Sequence, residues 1–230
     1  MAHKEQGYRF RIDYDLDHRK NVIDSFEQIV IVPVNTEIKK DQTVLNFDNV
    51  KKYVDAAKKI TVMDCSCRKD LKRCDAPVET CMTFDESAER QLKSEDARIR
   101  SYKPHAVSRE EAMEVLKKSA EAGLVHLAYL DKDSKNGRVG TICSCCSCCC
   151  ENLGSILRFG MAPQLLKASA KSVRDSSKCE NCGTCVDRCH FGARKMINGK
   201  LEFNQDRCFG CGLCLSTCPA GAIKLSPLPN

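Results

Sequence analysis

The chain has 230 residues, enough for one or two domains with a modest core, and 18 of them are cysteine, against 8 Phe, 5 Tyr and no Trp. Cysteine at that density means either a disulfide scaffold or metal ligation. Residues 1–20 show no apolar leader core, and no run approaches the roughly 18 apolar residues of a membrane span. A cytoplasmic, reducing location is therefore expected, and ligation is the better reason for so many thiols. The formal charge of +6 comes from Lys and Arg scattered among acids, with no basic-aromatic stripe, so no nucleic-acid partner is expected.

In chain order, "IVIVPV" (29–34) reads as a strand, with Pro33 at its edge or end. "DNVKKYVDAAKK" reads as an amphipathic helix with Asp48 as N-cap and Val50, Tyr53, Val54 and Ala57 on one face. "ITVMD" (60–64) is a second strand that delivers the chain to Cys65. "VSREEAMEVLKKSAEAGLV" is the clearest helix, with a Ser108/Glu111 capping box, an apolar stripe of Met113, Leu116 and Ala120, and Gly123 as its stop. "LVHLAYL" (124–130) is a third strand, followed by the polar turn "DKDSKNG". This order suggests a small α/β layer. The polar stretch 167–177 reads as a connector, which divides the chain into a cysteine-rich domain (1–166) and a C-terminal domain (178–230).

Two cysteine groups belong to the front layer. Cys65, Cys67, Cys74 and Cys81 lie within 17 residues, and "ICSCCSCCC" (142–150) holds six more. The first group has enough thiols for a [4Fe–4S] cluster, with Arg68 and Arg73 offsetting its charge. It could also bind zinc, or be divided between metals with members of the second group. The second group reads as a loop. Adjacent side chains diverge, so Cys143, Cys146 and Cys149, at intervals of three, are the first ligand candidates, and Cys145 is the next. His126 alternates within an apolar strand and is expected to be a hydrogen-bonded structural histidine.

The C-terminal domain is more explicit. Cys179, Cys182, Cys185 and Cys189 follow C-x2-C-x2-C-x3-C, and Cys208, Cys211, Cys214 and Cys218 repeat it. This is the spacing of the bacterial two-cluster ferredoxins, in which the fourth cysteine of each run serves the other cluster. One [4Fe–4S] set is therefore Cys179, Cys182, Cys185 and Cys218, and the other is Cys208, Cys211, Cys214 and Cys189. Gly183, Gly210 and Gly212 ease the backbone around the sulfides. His190 stands where the second run has Pro219 and is expected beside the cluster rather than on it. "ARKMINGKLEF" reads as a hairpin turning at Asn198-Gly199, and "AIKL" (222–225) as a further strand.

Taken together, "VMDCSCRKDLKRCDAPVETCMTF", "SREEAMEVLKKSAEAGLVH", "ICSCCSCCC" and the double ferredoxin run resemble a family of 4Fe–4S ferredoxin-type iron–sulfur-binding proteins from strict anaerobes. Members commonly read N-C-C-G-C-C-C where this chain has Ser144-Cys145-Cys146-Ser147-Cys148-Cys149-Cys150. The run also distantly resembles the Cys-Cys-Gly motifs of heterodisulfide reductases. The resemblance implies an α+β protein, an α/β cysteine-rich domain followed by a ferredoxin-like one. It would carry two C-terminal [4Fe–4S] clusters and one or two further [4Fe–4S] or non-standard clusters in front. The expected function is electron transfer, alone or as a subunit of an anaerobic redox complex, with a redox protein as partner. The alternative is an oxidoreductase whose front site performs a reduction fed by the ferredoxin domain.

Overall fold

The computed structural model describes residues 26–31, 50–131, 139–159, 165–166, 168 and 170–227. Pro33, Asp48 and most of the "DKDSKNG" turn lie outside the described residues. The fold mixes helices with antiparallel sheets. Its largest element is a seven-stranded sheet built from β1 (Phe26–Ile31), β2 (Ile60–Asp64), β3 (Glu79–Phe84), β4 (His105–Ala106), β5 (Val125–Asp131), β6 (Val139–Cys145) and β7 (Leu165–Leu166). The order is β4-β2-β3-β6-β5-β1-β7, and every pairing is antiparallel except β1 with β7. The helix–strand alternation that suggested an α/β layer thus belongs to an antiparallel sheet, because β3 and β6 insert between β2 and β5.

Alternation along the strands sends side chains to two cores. On one face Val62, Met82, Phe84, Ala128 and Ile142 pack with Val50 and Val54 of α1 (Val50–Ala56) and Leu116 of α5 (Arg109–Glu121). The predicted capping box on α5 is present, with Ser108 Oγ accepting from the Glu111 N–H and Glu111 accepting from the Ser108 N–H. On the other face Val125, Leu127, Tyr129 and Cys145 pack against Leu153 of α6 (Glu151–Phe159) and, beyond it, Phe191 and Leu213. Three shorter helices, α2 (Ser66–Leu71), α3 (Asp85–Leu92) and α4 (Ala97–Ser101), fill the connections between β2, β3 and β4.

Past residue 170 two small antiparallel pairs frame the second half. β8 (Ala170–Arg174) pairs with β11 (Ile223–Pro227), and β9 (Arg194–Ile197) pairs with β10 (Lys200–Phe203). The β9–β10 turn has φ of 49° at Asn198 and 74° at Gly199, as an Asn-Gly hairpin requires. The stretch expected to be a plain connector therefore contains β8, whose backbone partners come from the far end of the chain. Short helices α7 (Thr184–Asp187) and α8 (Leu213–Ser216) complete the two cysteine runs.

Candidate metal centres

The two ferredoxin-spaced runs fold into two cavities. One is lined by Cys179, Cys182, Cys185 and Cys218. The other is lined by Cys189, Cys208, Cys211 and Cys214. The crossed sets read from the spacing are thus the sets brought together. The surroundings suit anionic sulfur. The Ala193 N–H donates to Cys189 Sγ and the Ala222 N–H to Cys218 Sγ, both at 3.3 Å. Arg174 Nη1 donates to Cys179 Sγ at 3.8 Å. Arg194 is buried, lies 4.3 Å from the Phe203 ring centroid and donates from Nη2 to Ser172 Oγ at 2.8 Å. Burial pushes the free thiols of Cys185, Cys211 and Cys214 up, so these sites need a bound cation to hold thiolate at neutral pH.

The ten cysteines of the front region divide into a six and a four. Cys65, Cys67, Cys150, Cys145, Cys143 and Cys81 form a closed ring in which each thiol interacts with the next. The sheet builds it. Cys81 on β3 pairs across the ladder with Cys143 on β6, which brings their Sγ atoms to 3.8 Å. Cys145 lies two residues along β6, on the same face as Cys143. Cys65 and Cys67 enter from the end of β2 and the first turn of α2. Cys150 enters from the start of α6, where its Sγ accepts from the Leu153 N–H at 3.4 Å.

The other four, Cys74, Cys146, Cys148 and Cys149, have Sγ atoms all within 4.8 Å of one another. The turn at 147–149 brings Cys148 and Cys149 to Cys146 and Cys74, where Leu71, Ala76 and Leu124 pack around the group. The expected set of Cys65, Cys67, Cys74 and Cys81 is therefore split, because Cys74 follows α2 while Cys81 lies within β3. The first-choice trio of Cys143, Cys146 and Cys149 is split as well. Residues 142–145 of "ICSCCSCCC" are strand rather than loop, so position 143 follows a period of two and its neighbours turn away. Cys148 and Cys150, left out by the spacing argument, complete the tetrad and the ring. The available signal for the ring was the i, i+2 alternation of Cys143 and Cys145 at the end of an apolar run.

Both histidines singled out from the sequence are structural. His126 is buried with Nδ1 3.0 Å from Ser144 Oγ, and burial lowers its pKa to about 4, so it is neutral at pH 7. His190 joins the two halves, with Nε2 2.7 Å from the Gly123 carbonyl and Nδ1 3.0 Å from Ser147 Oγ. Arg188 Nη2 adds a 2.8 Å bond to the Glu121 carbonyl. Phe191 and Phe209 stack with centroids 4.4 Å apart, and Cys189 and Cys211 join the same apolar cluster as Cys143, Cys145 and Cys150. The second ferredoxin cavity and the six-thiol ring therefore share one packed wall.

The class of protein follows from these sites: a cysteine-rich, metal-binding α+β protein with a ferredoxin-type iron–sulfur region. The sequence profile of the family described as a 4Fe-4S dicluster domain matches residues 171–223, which begin within β8 and end at the start of β11. No curated protein matches the chain. Among the described residues no helix is long and apolar enough to cross a membrane.

Proposed function

We propose that this chain is an iron–sulfur electron-transfer protein, alone or as the electron-transfer subunit of a larger redox complex in anaerobic metabolism. Two [4Fe–4S] clusters would be held by the crossed ferredoxin sets, and a further iron–sulfur centre by Cys65, Cys67, Cys81, Cys143, Cys145 and Cys150. When bound, such centres supply one-electron carriers. The observation that carries the reading is the shared apolar wall between the ring and the second ferredoxin cavity. Phe191, Phe209, Leu153 and Leu213 make that wall apolar, which keeps solvent reorganisation small. Arg194 and the N–H donors to Cys189 and Cys218 stabilise added negative charge on the ferredoxin side. Burial of Cys65, Cys81, Cys145 and Cys150 suits outer-sphere transfer, since it keeps solvent from the sulfur atoms. The partner on this reading is another redox protein.

Iron and acid-labile sulfide counted per chain after anaerobic isolation test it. The expectation is about twelve irons or more, with Cys145→Ala losing about four and retaining the ferredoxin spectrum. A wild-type count of about eight would remove the front centre from the proposal. A second reading is favoured by the ring having six thiols, two beyond a cubane's need. That excess fits a non-standard cluster with an open iron, or a free thiolate, performing a reduction. Cyanide added to the dithionite-reduced protein discriminates: a shifted paramagnetic signal lost in Cys145→Ala supports the enzyme, and an unchanged spectrum supports the relay.

A further inference from the structure

We propose that Cys74, Cys146, Cys148 and Cys149 hold a single tetrahedral zinc(II) ion, separate from every iron–sulfur centre. The geometry is that of one ion. Cys74 Sγ is 3.7 Å from Cys146 Sγ and 3.8 Å from Cys149 Sγ, and Cys148 Sγ is 3.9 Å from Cys149 Sγ. Four thiolates about 2.3 Å from a common ion at tetrahedral angles have edges of about 3.8 Å. Around a cubane each thiolate binds its own iron, and the sulfur atoms stand much further apart. The chain supplies its own contrast. Among the described residues, no three of the ferredoxin-spaced cysteines and no three of the ring lie within the 4.8 Å that unites this tetrad.

Charge provides an independent observation. Arg68 is 1% exposed, yet its guanidinium bonds the Pro77 carbonyl at 2.7 Å, Thr80 Oγ1 at 3.0 Å, the Ser144 carbonyl at 3.0 Å and Cys146 Sγ at 3.7 Å. None of these partners is a carboxylate. A buried guanidinium costs several kcal/mol unless negative charge faces it, and Cys146 Sγ is the one partner among these four that metal ligation would make anionic. Zinc(II) with four thiolates carries a charge of about −2. Arg68, together with Arg73 reaching the Cys148 carbonyl at 3.5 Å, brings the site close to neutrality.

Zinc fits better than iron because of where the tetrad lies. Four thiolates close the coordination sphere and leave no position for substrate. The apolar packing around the tetrad comes from Leu71, Ala76, Ala122 and Leu124 and contains no ferredoxin residue, unlike the packing around the ring. A redox-silent ion suffices off the electron path. Its work is to pin the 146–149 turn to the loop that carries Cys74. The two residues flanking that turn, Cys145 and Cys150, are both ring thiols, so the ion fixes their approach to the ring. This role does not depend on what the ring binds.

Zinc K-edge absorption on the full chain, purified without oxygen, tests the assignment. The expected result is one zinc per chain with four sulfur neighbours at about 2.3 Å and no iron neighbour. Cys148→Ser is expected to lose at least nine-tenths of the zinc while iron per chain stays unchanged. Absence of zinc from the wild type overturns the proposal, as does a Cys148→Ser variant that keeps its zinc or loses iron instead. The wild-type spectrum decides alone if the variant does not fold.

Discussion

The two halves of this molecule gather thiols in different ways. Past residue 178 each cavity takes three cysteines from one tight loop and a fourth from the other run, so local spacing does most of the work. Around the sheet, the ring takes cysteines from the β2–α2 junction, α2, β3, β6 and the residue before α6, and no segment supplies more than two. A loop-built site depends on its own backbone, whereas a sheet-built site depends on the register of three strands and on the core behind them. The two should therefore fail under different perturbations.

The largest expected difference comes from the core behind the ring. Leu116 is fully buried against the layer containing Met82 and Ile142, which are the sequence neighbours of Cys81 and Cys143. Leu116→Ala should cost about 3 kcal/mol. On anaerobic heating, its front-region metal should be released at a lower temperature than in wild type, with the ferredoxin signals unmoved; simultaneous loss of both would break the comparison. The converse variant is Gly210→Ala. Gly210 has φ of 73°, and a Cβ there would clash with the Ala170 carbonyl oxygen of β8. Strain and overpacking together should cost roughly 2–3 kcal/mol. Here the ferredoxin clusters should be lost first, read by decay of their paramagnetic signals while the front-region metal is retained.

How much of this was legible follows the same division. β2 was readable to the residue, and so were the capping box on α5 and the Asn-Gly hairpin, because each is set by neighbours within a few positions. Which ferredoxin-spaced cysteines come to line the same cavity was readable, because their spacing largely sets that placement. Strand β3 was not seen, since "ETCMTF" offers only a short alternation and Cys81 reads as a ligand before it reads as a strand residue. Without β3 the pairing of Cys81 with Cys143, 62 residues away, has no sequence signal. The division of ten thiols into six and four is a consequence of that pairing and of the turn at 147–149, and spacing alone cannot express either.

A smaller effect probes tuning rather than assembly. Arg194 is 2% exposed, and its positive charge favours thiolate at Cys214. A cation there makes an added electron more favourable, so Arg194→Gln should lower the ferredoxin reduction potential by on the order of 50–100 mV, equivalent to about 1–2 kcal/mol. Redox titration followed by electron paramagnetic resonance measures it. The ring, in which no thiol is shifted by Arg194, should move much less, and equal shifts at both centres would mean that they share one electrostatic environment.

The smallest effect lies at the join. His190 Nε2 faces a carbonyl, which can only accept, so Nε2 carries a proton, and in the neutral ring Nδ1 accepts from the Ser147 hydroxyl. That bond gives a physical role to Ser147, and to a histidine where the second cysteine run has proline. It also ties the turn between the tetrad and the ring to the edge of the second ferredoxin cavity. Ser147→Ala removes the donor and should cost about 1 kcal/mol. A double-mutant cycle with His190→Ala, read by anaerobic denaturation midpoints, should give a coupling energy of similar size. Zero coupling would leave the packing of Phe191 and Phe209 in the shared apolar cluster, the His190 bond to the Gly123 carbonyl and the Arg188 bond to the Glu121 carbonyl to join the two modes of thiol assembly.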